Sequence, residues 1–211
     1  MREIVLKKDD VIVFQGDSVT DCNRSKDDNS YLGDGYVTLI AAKLLSQYSD
    51  LNLKIYNKGF SGDRIYDLKE RWQNDCLSLK PTVLSILIGI NDTWRRFDSG
   101  ILSPKEEFRD TYRKLIEQAI ETSNPLLVLM DPFVLPFPED RLAWREDLNE
   151  RIEVVRQLAK EYNAVYLPLD SLFAQAAIDT NYDYWCIDGV HPTLAGHGLI
   201  ASAWLDYVKV K

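Results

Sequence analysis

Short runs of β-favouring residues alternate with longer stretches of helical periodicity from one end of this chain to the other. Residues 11–14, Val-Ile-Val-Phe, form the first apolar run, which ends at Gly16. Residues 51–56 alternate like a strand and end in Asn57-Lys58-Gly59. Residues 82–88 are almost wholly apolar, as a strand buried on both faces requires, and residues 126–130 and 164–167 repeat the pattern. Helical segments lie between these runs. Residues 35–48 carry Val37, Ile40, Ala41, Leu44 and Leu45 at helical spacing, and residues 64–76 do the same with Ile65, Leu68 and Trp72. Ser103-Pro104-Lys105-Glu106 reads as a capping box, with Ser103 as the cap and Glu106 as its partner, opening a helix that runs to about residue 123. Further helices are expected over residues 140–162, 171–178 and 192–208.

Five strands alternating with helices predict a parallel sheet covered on both faces. Right-handed crossovers favour a doubly wound α/β sheet, with the strand order 2-1-3-4-5. The 211 residues suit one domain over residues 1–211. Ligands of such sheets bind beyond the carboxyl ends of the strands, where the order reverses between strands 1 and 3. That rule selects the loops to read for chemistry.

Charge and cysteine usage exclude several classes. Lysine and arginine number 25 against 33 acidic residues, a net charge of −8 that repels phosphate backbones, so nucleic acid is not an expected partner. The longest apolar runs, such as residues 83–90, are far too short to cross a membrane. Cys22, Cys76 and Cys186 are an odd number without regular spacing, which is no disulfide framework. Residues 1–10 mix charged and apolar types and lack the apolar core of a secretory signal, so a cytoplasmic protein with reduced thiols is expected.

After strand 1 comes Gly16-Asp17-Ser18, after strand 2 Gly59-Phe60-Ser61-Gly62, and after strand 3 Gly89-Ile90-Asn91-Asp92. In the order 2-1-3 these loops are neighbours. Asp188-Gly189-Val190-His191 can reach them from the C-terminal region. These are the parts of an acyl-transfer site. Ser18 is the candidate nucleophile and needs a base within hydrogen-bond reach. The chain has only two histidines, and His191 has Asp188 three positions before it to orient its ring. His197 falls inside the last helix and reads as structural. Backbone N–H groups of Ser18 and Gly62 and the side-chain amide of Asn91 would supply an oxyanion hole. Asp17 reads as loop-forming, and Asp92 as organising the Asn91 loop.

Gly16-Asp17-Ser18, Gly62, Gly89-Ile90-Asn91-Asp92 and Asp188-Gly189-Val190-His191 together resemble the four sequence blocks of the SGNH (GDSL-type) hydrolases, in that family's order and across nearly the whole chain. The resemblance implies a flavodoxin-like three-layer α/β/α sandwich and a Ser18–His191–Asp188 triad. It also implies an oxyanion hole from Ser18, Gly62 and Asn91, and ester hydrolysis without a metal or organic cofactor. The stretches Phe14-Gln15-Gly16-Asp17-Ser18 and Leu32-Gly33-Asp34-Gly35-Tyr36 and the pair Tyr184-Trp185 are most similar to bacterial carbohydrate esterases. Those esterases act on acetylated xylo-oligosaccharides. The expected partner is then a small acetylated sugar, with Tyr184 and Trp185 as candidate sugar-binding residues and Arg24, Tyr36 and Arg95 near the same edge. Trp94, Phe97, Phe133 and Phe137 are expected to be exposed, walling the pocket or forming a homo-oligomer interface.

Two other readings compete. A lysophospholipase or thioesterase would use the same triad but needs an apolar acyl channel beside Ser18. A catalytically silent sugar-binding module would have no need of an oxyanion hole. Gly196-His197-Gly198-Leu199-Ile200-Ala201 spells a dinucleotide fingerprint but follows no strand, and no Gly-x-Ser-x-Gly elbow is present. Cys186, Asp188, His191 and His197 fit no zinc spacing.

Overall fold

A computed structural model describes residues 3–210 of the chain. In order, the elements are β1 (Ile4–Leu6), β2 (Val11–Gly16), α1 (Ser18–Asp21), α2 (Tyr36–Gln47), β3 (Lys54–Gly59), α3 (Ile65–Asp75), β4 (Val83–Leu87) and α4 (Ile90–Ser99). There follow α5 (Lys105–Ser123), β5 (Leu126–Met130), α6 (Arg145–Glu161), β6 (Val165–Leu167), α7 (Leu169–Ala176), α8 (Tyr182–Trp185), α9 (Leu194–Leu205) and β7 (Val208–Val210).

Strand alternation builds two cores from one sheet, because successive side chains point to opposite faces. Ile12, Phe14, Val83, Leu87, Val128 and Met130 face α2 and α9, where Ile40, Leu44, Ile200 and Trp204 cover them. Val13, Leu84, Ile86, Leu127 and Leu129 face the other way, onto Leu68 and Trp72 of α3, Ile116 of α5 and Val155 of α6. Each such fully buried aliphatic or aromatic side chain contributes about 1.5–3 kcal/mol. One polar position, Ser85, is accommodated in the first core because its hydroxyl accepts from the Trp204 indole at 3.2 Å.

The sheet is wholly parallel in the order β3-β2-β4-β5-β6, the 2-1-3-4-5 order expected from the sequence. The register pairs Gly16 with both Gly59 and Leu87, so the three strands end level and their following loops meet. β1 and β7 form a separate parallel pair, Ile4 against Val208, which the sequence did not announce because each is only three residues long.

Several local expectations are corrected. The capping box does not form: α5 starts at Lys105 without a side-chain cap, and the Ser103 hydroxyl instead donates to Asp92 Oδ1 at 2.8 Å. The expected helix over residues 140–162 divides into a 3₁₀ segment, Glu139–Trp144, and α6. The strand expected at 51–56 begins only at Lys54, after a 3₁₀ turn. The letters of the dinucleotide fingerprint lie within α9. All three cysteines are free thiols, and among the described residues no helix is long and apolar enough to cross a membrane.

Candidate active site

Asp17 ends the β2 connection by capping α1: its buried Oδ1 accepts the Val19 N–H at 3.1 Å. This leaves Ser18, half-buried at the first position of α1, free to point its hydroxyl outward. Ser18 Oγ lies 2.9 Å from His191 Nε2, and His191 Nδ1 lies 2.8 Å from Asp188 Oδ2. The other Asp188 oxygen accepts the backbone N–H groups of His191 at 2.8 Å and Val190 at 3.1 Å. Burial works to raise the Asp188 pKa, but these hydrogen bonds outweigh it and hold the carboxyl at about 2. The hydrogen bond that His191 donates to Asp188 in turn raises the His191 pKa against the effect of burial. An ionised carboxylate fixes the Nδ1–H tautomer and leaves Nε2 with a lone pair toward the serine hydroxyl.

The loop after β3 brings Gly62 to the same edge. Its φ of +90° suits glycine, and a Cβ there would meet nothing within 4 Å, so conformation rather than crowding selects the residue. Asn91, 3% exposed at the start of α4, spends one amide hydrogen on the Asp63 carbonyl at 3.1 Å. The buried carboxylate of Asp92 locks both loops together. Its Oδ2 accepts the Ile65 N–H at 3.0 Å and its Oδ1 the Ser103 hydroxyl. Burial lifts its pKa to about 6. Arg71 binds the same region from α3, reaching Asp63 at 2.6 Å, the Lys58 carbonyl at 2.7 Å and the Gly16 carbonyl at 3.1 Å. Sequence reading missed Arg71, whose helical spacing marks it only as a polar-face residue.

The other residues named from the sequence have contacts of their own. The Trp185 indole N–H donates to the Ala176 carbonyl at 3.1 Å and Thr180 Oγ1 at 2.6 Å, tying it to α7, and Tyr184 stands edge-on against it, 57% exposed. The aromatic ring beside His191 is Trp94, with centroids 5.8 Å apart. Arg24 is buried and donates to the Gly59 carbonyl at 2.6 Å, while Tyr36 is buried with its hydroxyl on Thr20. Arg95 pairs with Asp98. Phe133, expected to be exposed, is a core residue stacked on Phe173. His197 is buried between Cys22 and the Tyr36 amide, and burial lowers its pKa to about 4.

A parallel sheet with hydroxyl, imidazole and carboxylate in line at its carboxyl edge has the layout of a serine hydrolase. Residues 14–199 match the GDSL-like lipase/acylhydrolase family, and the chain belongs to it. The chain is 33% identical over 201 residues to an acetylxylan esterase of Geobacillus stearothermophilus, covering 92% of this chain and 91% of that one. Among solved structures, it superposes on a GDSL-like lipase from Parabacteroides merdae with a TM-score of 0.91 and 39% identity, covering 97% and 98% of the two chains. The acetylxylan esterase Axe2 of G. stearothermophilus gives a TM-score of 0.88 at 31% identity, covering 97% and 96%. The chain is thus a carboxylic ester hydrolase.

Proposed function

We propose that this enzyme removes O-acetyl groups from carbohydrate esters of the acetylated xylo-oligosaccharide kind. Ser18 is the nucleophile, His191 the base and Asp188 its orienting carboxylate. The observation that carries the reading is the continuous Ser18 Oγ–His191–Asp188 chain, with links of 2.9 and 2.8 Å. His191 Nε2 takes the hydroxyl proton as Ser18 Oγ bonds to the acetyl carbonyl carbon. The carbonyl oxygen becomes the oxyanion, stabilised by the Ser18 and Gly62 N–H groups and the second amide hydrogen of Asn91. Collapse breaks the bond to the sugar oxygen, which leaves with the proton from His191. Water then repeats the sequence on the acetyl-serine, releasing acetate and restoring Ser18. Alanine variants of Axe2 at a serine, an aspartate and a histidine are described as catalytic mutants. The aspartate there precedes the histidine by three positions, the spacing of Asp188 and His191 here, which supports the assignment.

An acetyl group is small, so binding energy must come from the alcohol side, where aromatic stacking suits a sugar. We assign that stacking to Trp94, beside His191, in preference to Trp185 and Tyr184. The free thiols fit a reducing, cytoplasmic setting. The test is a comparison of acetate release from acetylated xylo-oligosaccharides with hydrolysis of matched acetyl and octanoyl aryl esters. A steep acetyl preference is expected; equal cleavage of octanoyl esters would favour the lipase or thioesterase reading.

A further inference from the structure

Residues 131–144, between β5 and α6, take no part in the steps above, yet they hold the Asp188–His191 loop from outside. The Leu135 N–H donates to the Gly189 carbonyl at 2.9 Å. Gly189 has a φ of +83°, and a Cβ there would lie 2.1 Å from the Phe137 carbonyl oxygen, so loop and segment touch backbone to backbone. Arg141 adds a third tie: its Nε donates to the Asp188 carbonyl at 3.3 Å. The guanidinium lies against two adjoining indoles, 4.1 Å from the Trp144 centroid and 4.9 Å from that of Trp94. Trp94 is the ring packed beside His191.

This arrangement sets a charge pattern around the imidazole. Asp188 faces it from its own loop, Asp17 from the β2–α1 connection, and Arg141 from the 3₁₀ segment. The Asp188 carboxylate favours the imidazolium, as does Asp17 once it ionises, and the Arg141 cation opposes it. The Arg141 side chain is 13% exposed, whereas its ion-pair partner Asp140 is 63% exposed. Water therefore screens Asp140 more than Arg141, and the cation acts on His191 through the less polar interior.

We propose that Arg141 is a positioning residue of the hydrolytic site: it fixes the Asp188–His191 loop through the Asp188 carbonyl and sets a cation beside that loop. This inference rests on the reading of His191 as the general base. The hydrogen bond and charge of Asp188 push the His191 pKa up, burial pushes it down, and Arg141 adds to the downward effect. Only arginine supplies both a planar cation for the two indoles and a directed Nε–H for the carbonyl.

The experiment is the pH dependence of kcat/KM on an aryl acetate for wild type, R141M, R141Q and R141K, with H191A alongside. R141M removes charge and hydrogen bond, so its acid limb is expected to move to higher pH by roughly half a unit or more, with kcat reduced ~10-fold. R141Q keeps a donor without the charge; the same shift is expected with a smaller loss in kcat. R141K keeps the charge, so its acid limb is expected to stay at the wild-type position while kcat falls. Should R141M fail to fold, R141Q carries the reading of the limb. An unmoved acid limb in the folded neutral variants overturns the proposal, whatever kcat does. H191A separates the two layers: substantial activity there removes the triad reading itself, whereas an inactive H191A with an unmoved limb removes only the role of Arg141.

Discussion

In the proposed mechanism Ser18 attacks only if His191 is neutral, and that requirement governs behaviour at the residue scale. Because Asp188 raises the His191 pKa, kcat/KM is expected to rise through an ionisation at or above the free-histidine value of about 6.5. An acid limb well below that value would mean that another group is the base. Ser18→Ala is expected to lower kcat at least ~10³-fold with the fold intact, and Asp188→Asn to lower it similarly by releasing the tautomer. Asn91→Ala should cost roughly 10²-fold in kcat with little change in KM; a loss confined to KM would make Asn91 a ground-state binder. Asp17 allows a test of stability. Burial raises its pKa from 3.8 to about 7, so the folded state favours the protonated form. Its stabilising contribution is full below pH ~4 and is lost as pH rises through about 7. Asp17→Asn keeps an acceptor for Val19 and never ionises, so its unfolding temperature should gain on wild type between pH 5 and pH 9. A constant gap would show that Asp17 titrates normally. Of the proposed site residues, Ser18, Gly62 and Asn91 were readable because each follows a strand at the switch edge of the sheet, and Asp188 and His191 because one of only two histidines has an aspartate three positions before it. Arg24, Tyr36 and Arg95 misled because a polar residue in a loop gives no sign of which backbone carbonyl or carboxylate will claim it.

Elements place those residues, and the decisive contacts between elements are long-range. Ser103 has the local pattern of a helix cap, yet Asp92 takes its hydroxyl across the space between α4 and α5. A buried carboxylate needing a donor outweighs a solvent-accessible helix end, and no local window reveals that competition. Arg141 is equally hidden, being one charged residue in a stretch with helical periodicity. Gly189→Ala tests the backbone contact between the 131–144 segment and the catalytic loop. The added Cβ, 2.1 Å from the Phe137 oxygen at a positive φ, forces the loop away, and kcat is expected to fall at least ~10²-fold while far-UV circular dichroism stays unchanged. Wild-type turnover in that variant would show that the loop finds its geometry without the segment.

At the scale of the whole molecule, period-two strands separated by helical segments carry enough information for the sheet order, because right-handed crossovers leave few alternatives. The β1–β7 pair was not legible: three-residue strands have no periodicity to read, and their pairing joins opposite ends of the chain. Substrate choice is also a property of the assembled edge. Trp185, fixed by its indole N–H to α7, is expected when changed to alanine to impair acetylated xylo-oligosaccharides and aryl acetate alike, whereas Trp94→Ala should impair the sugar ester more. The reverse pattern would return the stacking role to Trp185. Every part of this account requires that Ser18 becomes covalently bonded to the acyl carbon. Labelling with a fluorophosphonate followed by peptide mass mapping tests that directly: a single adduct on Ser18, lost in H191A, is expected, and a protein left unlabelled or labelled at another residue would contradict the account.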